Sequence, residues 1–323
     1  MKIGYTMMCE QRGPKDLVDD VVLAEQAGFD FSVISDHYSP WLEEQGHSPY
    51  AWSVLGAAAA KTERIGLMTY VTCPTFRYHP AVVAQKAATV ALLADGRFRL
   101  GVGAGENLNE HIVGGGWPGA DVRHERLREA VEIIRSLWGG GYVNFRGSHF
   151  EVASAKLYDL PDEPIQLGVA VSGQQSCDIA GEMADIAIAV EPQADLVRLF
   201  ADAGGRGKPV VGQAPCCYDT DASAALKVAH EQFRWFAGGW KVNAELPGPQ
   251  GFDSASQFVR EDDVAEQIPH GPDVEAYVAA AKSFAGAGFT ELAYVQIGSE
   301  QARFCEWFAT TLRPALEKAG IAG

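Results

Sequence analysis

Eight short apolar segments rich in branched residues recur along the chain, at about 2–8, 29–36, 64–71, 98–104, 164–171, 184–191, 208–216 and 291–298. Helical patterns lie between them, at 15–27, 50–61, 80–94, 122–138, 174–182, 194–204, 220–236 and 299–319. Strands that alternate with helices form a parallel sheet, because each helix carries the chain back to the same sheet edge. Eight such units in 323 residues predict an α/β fold closed into a (β/α)8 TIM barrel with insertion segments, rather than an open doubly wound sheet. The whole chain, 1–323, reads as a single barrel domain. Three stretches exceed a minimal barrel: about 107–121, 139–163 (a small hairpin and loop) and the Gly- and Pro-rich 237–271. Long irregular insertions are lids or binding walls, or else passive excursions and dimer contacts.

Composition limits the partners. Hydrophobic residues make up 47% and charged residues 21%, enough apolar material for a large core. A formal net charge of −16 argues against nucleic acid or an anionic membrane as the main partner. It leaves room for a small anionic ligand, because helix N-termini and backbone N–H groups bind anions locally. The six cysteines form no CxxC pair and have no histidine cluster beside them, so neither structural zinc nor a disulfide framework is expected, and no metal site is assigned. MKIGYTMM enters a strand at once, without the layout of a secretory signal, and no apolar run reaches membrane-spanning length. The expectation is a cytoplasmic protein acting on a small molecule, with no membrane partner.

In a parallel barrel the reacting groups gather at the C-terminal strand ends. The first strand ends at Met7–Gln11. The second ends on Asp36 and His37, with Trp41 four residues on. The third ends in Tyr70-Val71-Thr72-Cys73-Pro74. The fourth ends in the glycine-rich turn GVGAGENLN, which carries Glu106 and Asn109. The fifth ends in VSGQQ, with Ser172, Gly173 and Gln174 opening a helix. His37 suits general acid–base work, since an imidazole titrates near neutrality; it is otherwise a satisfied structural histidine. Asp36 either orients a ring or caps the next segment. Glu106, in a dry pocket, is expected to have a raised pKa and carry a proton, or else to cap the following helix. GVGAGENLNE lacks the spacing of a dinucleotide fingerprint and follows the wrong strand, so an NAD site is not expected. VSGQQ is a plausible phosphate seat. Trp41, Trp52, Trp117, Trp235 and Trp240 can wall an aromatic cofactor or simply pack.

ISDHYSPW, TCPTFRYHPAVVAQ, LADGRFRLGVGAGENLNE and VAVSGQQ occur in this order. Together they resemble the bacterial luciferase-like superfamily, and within it the coenzyme F420-dependent dehydrogenases, typified by enzymes acting on glucose 6-phosphate. The resemblance covers nearly the whole chain, thinly between about 190 and 291. It implies an eight-stranded barrel, usually a homodimer, with the deazaflavin at the strand C-termini. Asp36 and His37 would flank the deazaflavin ring, with Trp41 beside the substrate. Glu106 matches a proton-handling glutamate and Asn109 a cofactor-contacting asparagine. Ser172 and Gly173 match the loop that holds the cofactor tail, with Gln174 following. Tyr70-Val71 matches a bulge with a non-proline cis peptide that backs the ring. His37 and Glu106 would share the acid and base roles while the cofactor carries the hydride.

The departures point to the substrate. Sugar-phosphate members clamp the phosphate with two lysines and an arginine. The alignment places Gln193, a stretch near Pro247, and Gln267 at those positions. From 228 to 270 the cations are Arg234, Lys241 and Arg260 only. Glutamine offers neither a point charge nor a bidentate fork. The expected substrate is therefore a neutral alcohol, ketone, imine or enone rather than glucose 6-phosphate, held by Trp41, Trp240, Gln193 and the 237–271 segment. Cys73 replaces a threonine of close relatives, removing one cofactor hydrogen bond. Two rivals share the barrel: an FMN-dependent monooxygenase, and a deazaflavin-binding protein without activity.

Overall fold

A computed structural model describes residues 1–323. Its main sheet is a closed parallel barrel. The barrel strands are β1 (Lys2–Met7), β2 (Phe31–Ile34), β3 (Gly66–Thr69), β4 (Phe98–Val102), β7 (Leu167–Ala170), β8 (Ile186–Ala189), β9 (Val210–Cys216) and β10 (Glu291–Gln296). Between β4 and β7 an antiparallel hairpin, β5 (Val143–Arg146) with β6 (Glu151–Ala155), stands outside the barrel. Closure comes from β1, which pairs with β10 (Lys2 opposite Glu291) and with β2 (Gly4 opposite Phe31). The eight strand segments read from sequence are all present, each trimmed by a few residues at its ends.

The lumen is filled rather than open. Phe31, Val33, Met68, Tyr70, Ile186, Ile188, Val211 and Ala293 form a compact apolar cluster. Small residues opposite make the room: a Cβ at Gly4 would lie 2.5 Å from the Phe31 ring. At the N-terminal end Arg99 closes the barrel, pairing with Glu291 at 2.7 Å and lying over Phe31. A larger core of 65 buried residues joins the outer strand faces to the surrounding helices. A third cluster, containing Trp41, Leu108, Phe233, Trp235 and Phe252, sits at the C-terminal mouth. No helix is long and apolar enough to cross a membrane.

Three helical readings change. The 237–271 stretch is not irregular: it holds short helices at Trp240–Asn243, Pro249–Ser256 and Glu261–Ala265. A full helix at Val274–Gly286, capped by Asp273, precedes β10 and was absent from the sequence reading. The last helical pattern divides into Gln301–Trp307, a wide turn at Phe308–Leu312 and Arg313–Lys318. Pro314 accounts for the division, since proline cannot donate the helical hydrogen bond. The hairpin is tied down by Glu129, whose carboxylate accepts the N–H groups of Ser148, His149 and Phe150 at 2.6, 3.0 and 3.0 Å.

Candidate active site

The C-terminal end of β2 delivers His37 into the barrel mouth between two carboxylates. Glu10, just beyond β1, places Oε1 2.6 Å from Nδ1. Glu106, just beyond β4, places Oε1 3.2 Å from Nε2. All three side chains are buried. Neither Glu10 Oε1 nor His37 Nδ1 has another partner, so the two atoms meet as a close ion pair. Burial on its own would push the imidazole down; the charge of Glu10, then that of Glu106, overcomes it and holds His37 up at about 10. For Glu106 burial pulls upward, but His37, Asn109 and Arg77 together hold its carboxyl below the usual range. The sequence expectation of a raised Glu106 is corrected: an imidazolium at contact distance outweighs the dry surroundings. The resting pair is an imidazolium facing an ionised carboxylate.

The neighbours hold this pair in place. Asn109 donates Nδ2 to Glu106 Oε1 at 2.8 Å and accepts the N–H groups of Tyr38 and Ser39. Asp36 is not a free rim acid. Its Oδ2 accepts from Trp52 Nε1 and Thr72 Oγ1, both at 2.8 Å, and its Oδ1 accepts from Tyr78 at 3.1 Å. It knots the end of β2 to the helix Ala51–Lys61, through Trp52, and to the segment after β3, through Thr72 and Tyr78. The peptide Tyr70–Val71 is cis, and Tyr70 donates its hydroxyl to Ala189 O at 2.9 Å. Val71 packs against the bare Cα of Gly103, where a Cβ would come within 2.7 Å. Cys73 is buried beside Glu106, and burial pushes its thiol well up.

Trp41 presents its edge to His37 at 5.0 Å between centroids. Its face is stacked on Trp235 at 4.0 Å and nearly parallel, and Phe252 closes from the side at 5.1 Å. An aromatic wall thus rises on one side of the proton pair. His37 also lines a cavity of about 590 Å³, together with Tyr38, Ser48, Tyr50, Arg77, Tyr78 and Ile112. A larger one of about 670 Å³ lies in the outer helical layer, between Pro14–Ala27 and Ala51–Lys61; it shares Tyr50 with the first but holds neither His37 nor Arg77.

Other sequence candidates lie further out. Ser172, Gly173 and Gln174 form the start of the helix Gln174–Met183, where Ser176 Oγ accepts the N–H groups of Ser172 and Gly173. Gln174 bonds Asp178, and a Cβ at Gly173 would meet nothing within 4 Å. Gln193 is exposed beyond β8 and bonds its neighbour Glu191. Trp240 is 37% exposed and joins no aromatic stack; Trp235 occupies the place beside Trp41. The nearby cations are engaged or peripheral. Arg234 pairs with Glu44 and Asp253, Arg260 pairs with Asp263, and Lys241 is exposed. The sequence reading passed over Glu10, Arg77 and Glu110. An acid immediately after the first strand, in MMCEQ, was the available signal for Glu10.

A filled parallel barrel with an imidazole held between two carboxylates at its C-terminal rim is the layout of an α/β-barrel enzyme that moves protons. The chain belongs to the luciferase-like monooxygenase family, whose model matches residues 1–291. Over 98% of its length it is 36% identical to an F420-dependent glucose-6-phosphate dehydrogenase of Beutenbergia cavernae, covering 97% of that protein. A relative of the same description from Amycolatopsis mediterranei is 35% identical over 99% of this chain and its own full length. Among solved structures, an F420-dependent secondary alcohol dehydrogenase in complex with an F420-acetone adduct superimposes with a TM-score of 0.88 at 28% identity, covering 95% of this chain and 97% of that one.

Proposed function

We propose that the protein is a coenzyme F420-dependent oxidoreductase acting on a small uncharged organic substrate, an alcohol/ketone pair or a C=C or C=N compound, and not on glucose 6-phosphate. Dependence on F420 follows from relatives along the full chain. The observation that carries the substrate class is the mouth itself: next to His37 stand Trp41, Trp235 and Phe252, and the cations of the adjoining segment are paired with carboxylates or exposed.

The residues present fit a deazaflavin. A flat ring needs an apolar backing, and the Tyr70–Val71 turn over Gly103 offers one. The anionic tail needs donors without bulk. Gly173 opens a ten-residue helix with free space above it. The cofactor, when bound, takes up or gives the hydride. The chain supplies the proton and the orientation. As an imidazolium His37 bears a proton on each ring nitrogen, and the one at Nε2, on the Glu106 side, would serve a substrate oxygen, nitrogen or carbon in the reducing direction. In the oxidising direction the same atom takes the hydroxyl proton back. Glu106 holds the ring by its other charge and passes protons onward. Glu10 fixes Nδ1, and so fixes which way Nε2 faces. Trp41 and Trp235 exclude water from the substrate side.

The same reading treats the chain as one barrel domain with insertions at about 107–121, 139–163 and 237–271. It makes the protein a cytoplasmic homodimer without nucleic-acid or membrane partners. Titration of the purified protein with oxidised F420 and with FMN, followed by assays with a panel of secondary alcohols and glucose 6-phosphate, tests the function. Binding of FMN alone, or efficient oxidation of glucose 6-phosphate, would overturn it.

A further inference from the structure

The chain on both sides of His37 is held from one short helix. Asn109 accepts the backbone N–H groups of Tyr38 and Ser39 at 2.7 and 3.0 Å. Glu110, the next residue, accepts from Arg77, through its backbone N at 2.9 Å and through Nε at 3.4 Å. Arg77 reaches onward: Nη2 donates to the carbonyl oxygen of Asp36, and Nη1 stands 3.5 Å from Asp36 Oδ1. Residues 36, 38 and 39 are therefore all referred to the helix Asn107–Glu110, whose N-cap is Glu106.

We propose that Arg77, clamped by Glu110, is a positioning residue that sets the His37–Glu106 geometry for proton transfer. The inference rests on reading those two residues as the proton pair. Arg77 is not itself an anion-binding group. Its side chain is buried, and each of its three nitrogens is engaged within the chain, Nη1 also reaching the Tyr78 hydroxyl at 3.3 Å. Its charge faces Asp36, Cys73, Tyr78, Lys86, Glu106 and Glu110. A guanidinium suits the place because its acceptors lie in separate directions, which one ammonium nitrogen cannot serve together.

Charge and geometry separate in three variants of the full chain, Arg77→Lys, Arg77→Met and Glu110→Gln, each titrated with F420 and assayed across pH. Arg77→Lys keeps the charge and loses the fork. Its kcat should fall about 10- to 100-fold, the scale of a small misalignment, with KM, cofactor Kd and the pH profile close to wild type. Arg77→Met also removes a cation beside the pair. Both His37 and Glu106 then give up protons less readily, so the pH limb should move to higher pH. Glu110→Gln should lower kcat with cofactor affinity intact. Wild-type kcat in Arg77→Lys overturns the proposal, and so does a fall in kcat matched by an equal loss of cofactor affinity. Where the Arg77 variants do not fold, full kcat in Glu110→Gln overturns it. Failure of the underlying reading looks different: Glu106→Gln would then itself retain full turnover.

Discussion

Glu10 and His37 meet across the seam between β1 and β2, Oε1 to Nδ1, at 2.6 Å. The contact joins two strand ends that are 27 residues apart in sequence (His37 minus Glu10) but neighbours in the sheet, Gly4 lying opposite Phe31. With Glu106 on the far side, one imidazole answers two buried carboxylates. Desolvation opposes a charge on His37 and on Glu106, and the opposite charges beside each offset it.

Neutralising the first of these carboxylates tests the arrangement. In Glu10→Gln the imidazolium loses the larger of its two charge partners, so its titration should fall from about 10 toward the ordinary imidazole range. The sign for stability follows. A group whose folded pKa is raised contributes fully below its unfolded value, about 6.5, and loses the contribution as pH rises through the folded value, about 10. The gap in melting temperature between wild type and variant should narrow across that window. Ring-resonance titration by NMR reads the shift directly; an unmoved midpoint would mean that Glu106 alone holds the charge.

Replacement of Glu106 separates binding from turnover. Glu106→Gln preserves the shape of the site and the acceptor for Asn109 Nδ2, so cofactor affinity should persist. Turnover should fall by about 10²–10⁴, the usual contribution of an acid–base group. Loss of this anion also eases deprotonation of His37. The limb of the pH profile in alcohol oxidation should therefore move to lower pH, opposite to the shift expected for Arg77→Met. Turnover equal to wild type with every accepted substrate would end the proton role.

The barrel was legible because each strand is a separate short apolar run and each helix a separate periodic one, and eight units leave little choice of topology. Asp36, His37 and Glu106 stood out as candidates because polar groups at the end of a buried strand are unusual there, although for Asp36 the structure shows a structural reason. Glu10 was hidden by its setting: MMCEQ reads as a strand running out into a turn. The partner of each site residue was hidden for another reason. Nothing in ISDHYSPW says that the Asp36 carboxylate is spent on Trp52, Thr72 and Tyr78. The helix Val274–Gly286 had a signal of its own in Asp273, which caps its first turn ahead of an alanine-rich run. Trp240 looked equivalent to Trp235 in sequence, and only packing distinguishes them.

Trp235 gives the mouth its shape. It covers the face of Trp41 and rests against Phe233 and Phe252. Trp235→Ala should destabilise the protein by about 3–5 kcal/mol, the range for large aromatic truncations in a packed cluster. Trp235→Phe keeps most of the packing and leaves a gap beside Trp41. That variant should bind small ketones less well and accept bulkier ones better, with cofactor affinity unchanged. KM values over a graded series of ketones decide it, and an unchanged series would remove Trp235 from the substrate wall.

The last prediction concerns charge at the substrate. A phosphate monoester brings close to two negative charges, and burying them without cationic partners is costly. The chain carries a net charge of −16. Arg234 is already satisfied by Glu44 and Asp253, and Arg260 by Asp263, so drawing either to a phosphate would first break an ion pair. Lys241 is exposed, and Arg77 is committed to Asp36 and Glu110. Gln193 and Gln267, the residues expected from the sequence where a sugar-phosphate clamp would sit, are exposed, one bonded to Glu191 and the other to the Asp263 carbonyl. The unmodified protein should therefore oxidise glucose 6-phosphate little or not at all while turning over small neutral alcohols. Introducing Gln193→Lys with Gln267→Arg should raise affinity for sugar phosphates more than for neutral alcohols. Steady-state comparison of glucose 6-phosphate with secondary alcohols, in both proteins, reads the outcome. Efficient glucose 6-phosphate turnover by the wild type would overturn the reading of an uncharged substrate.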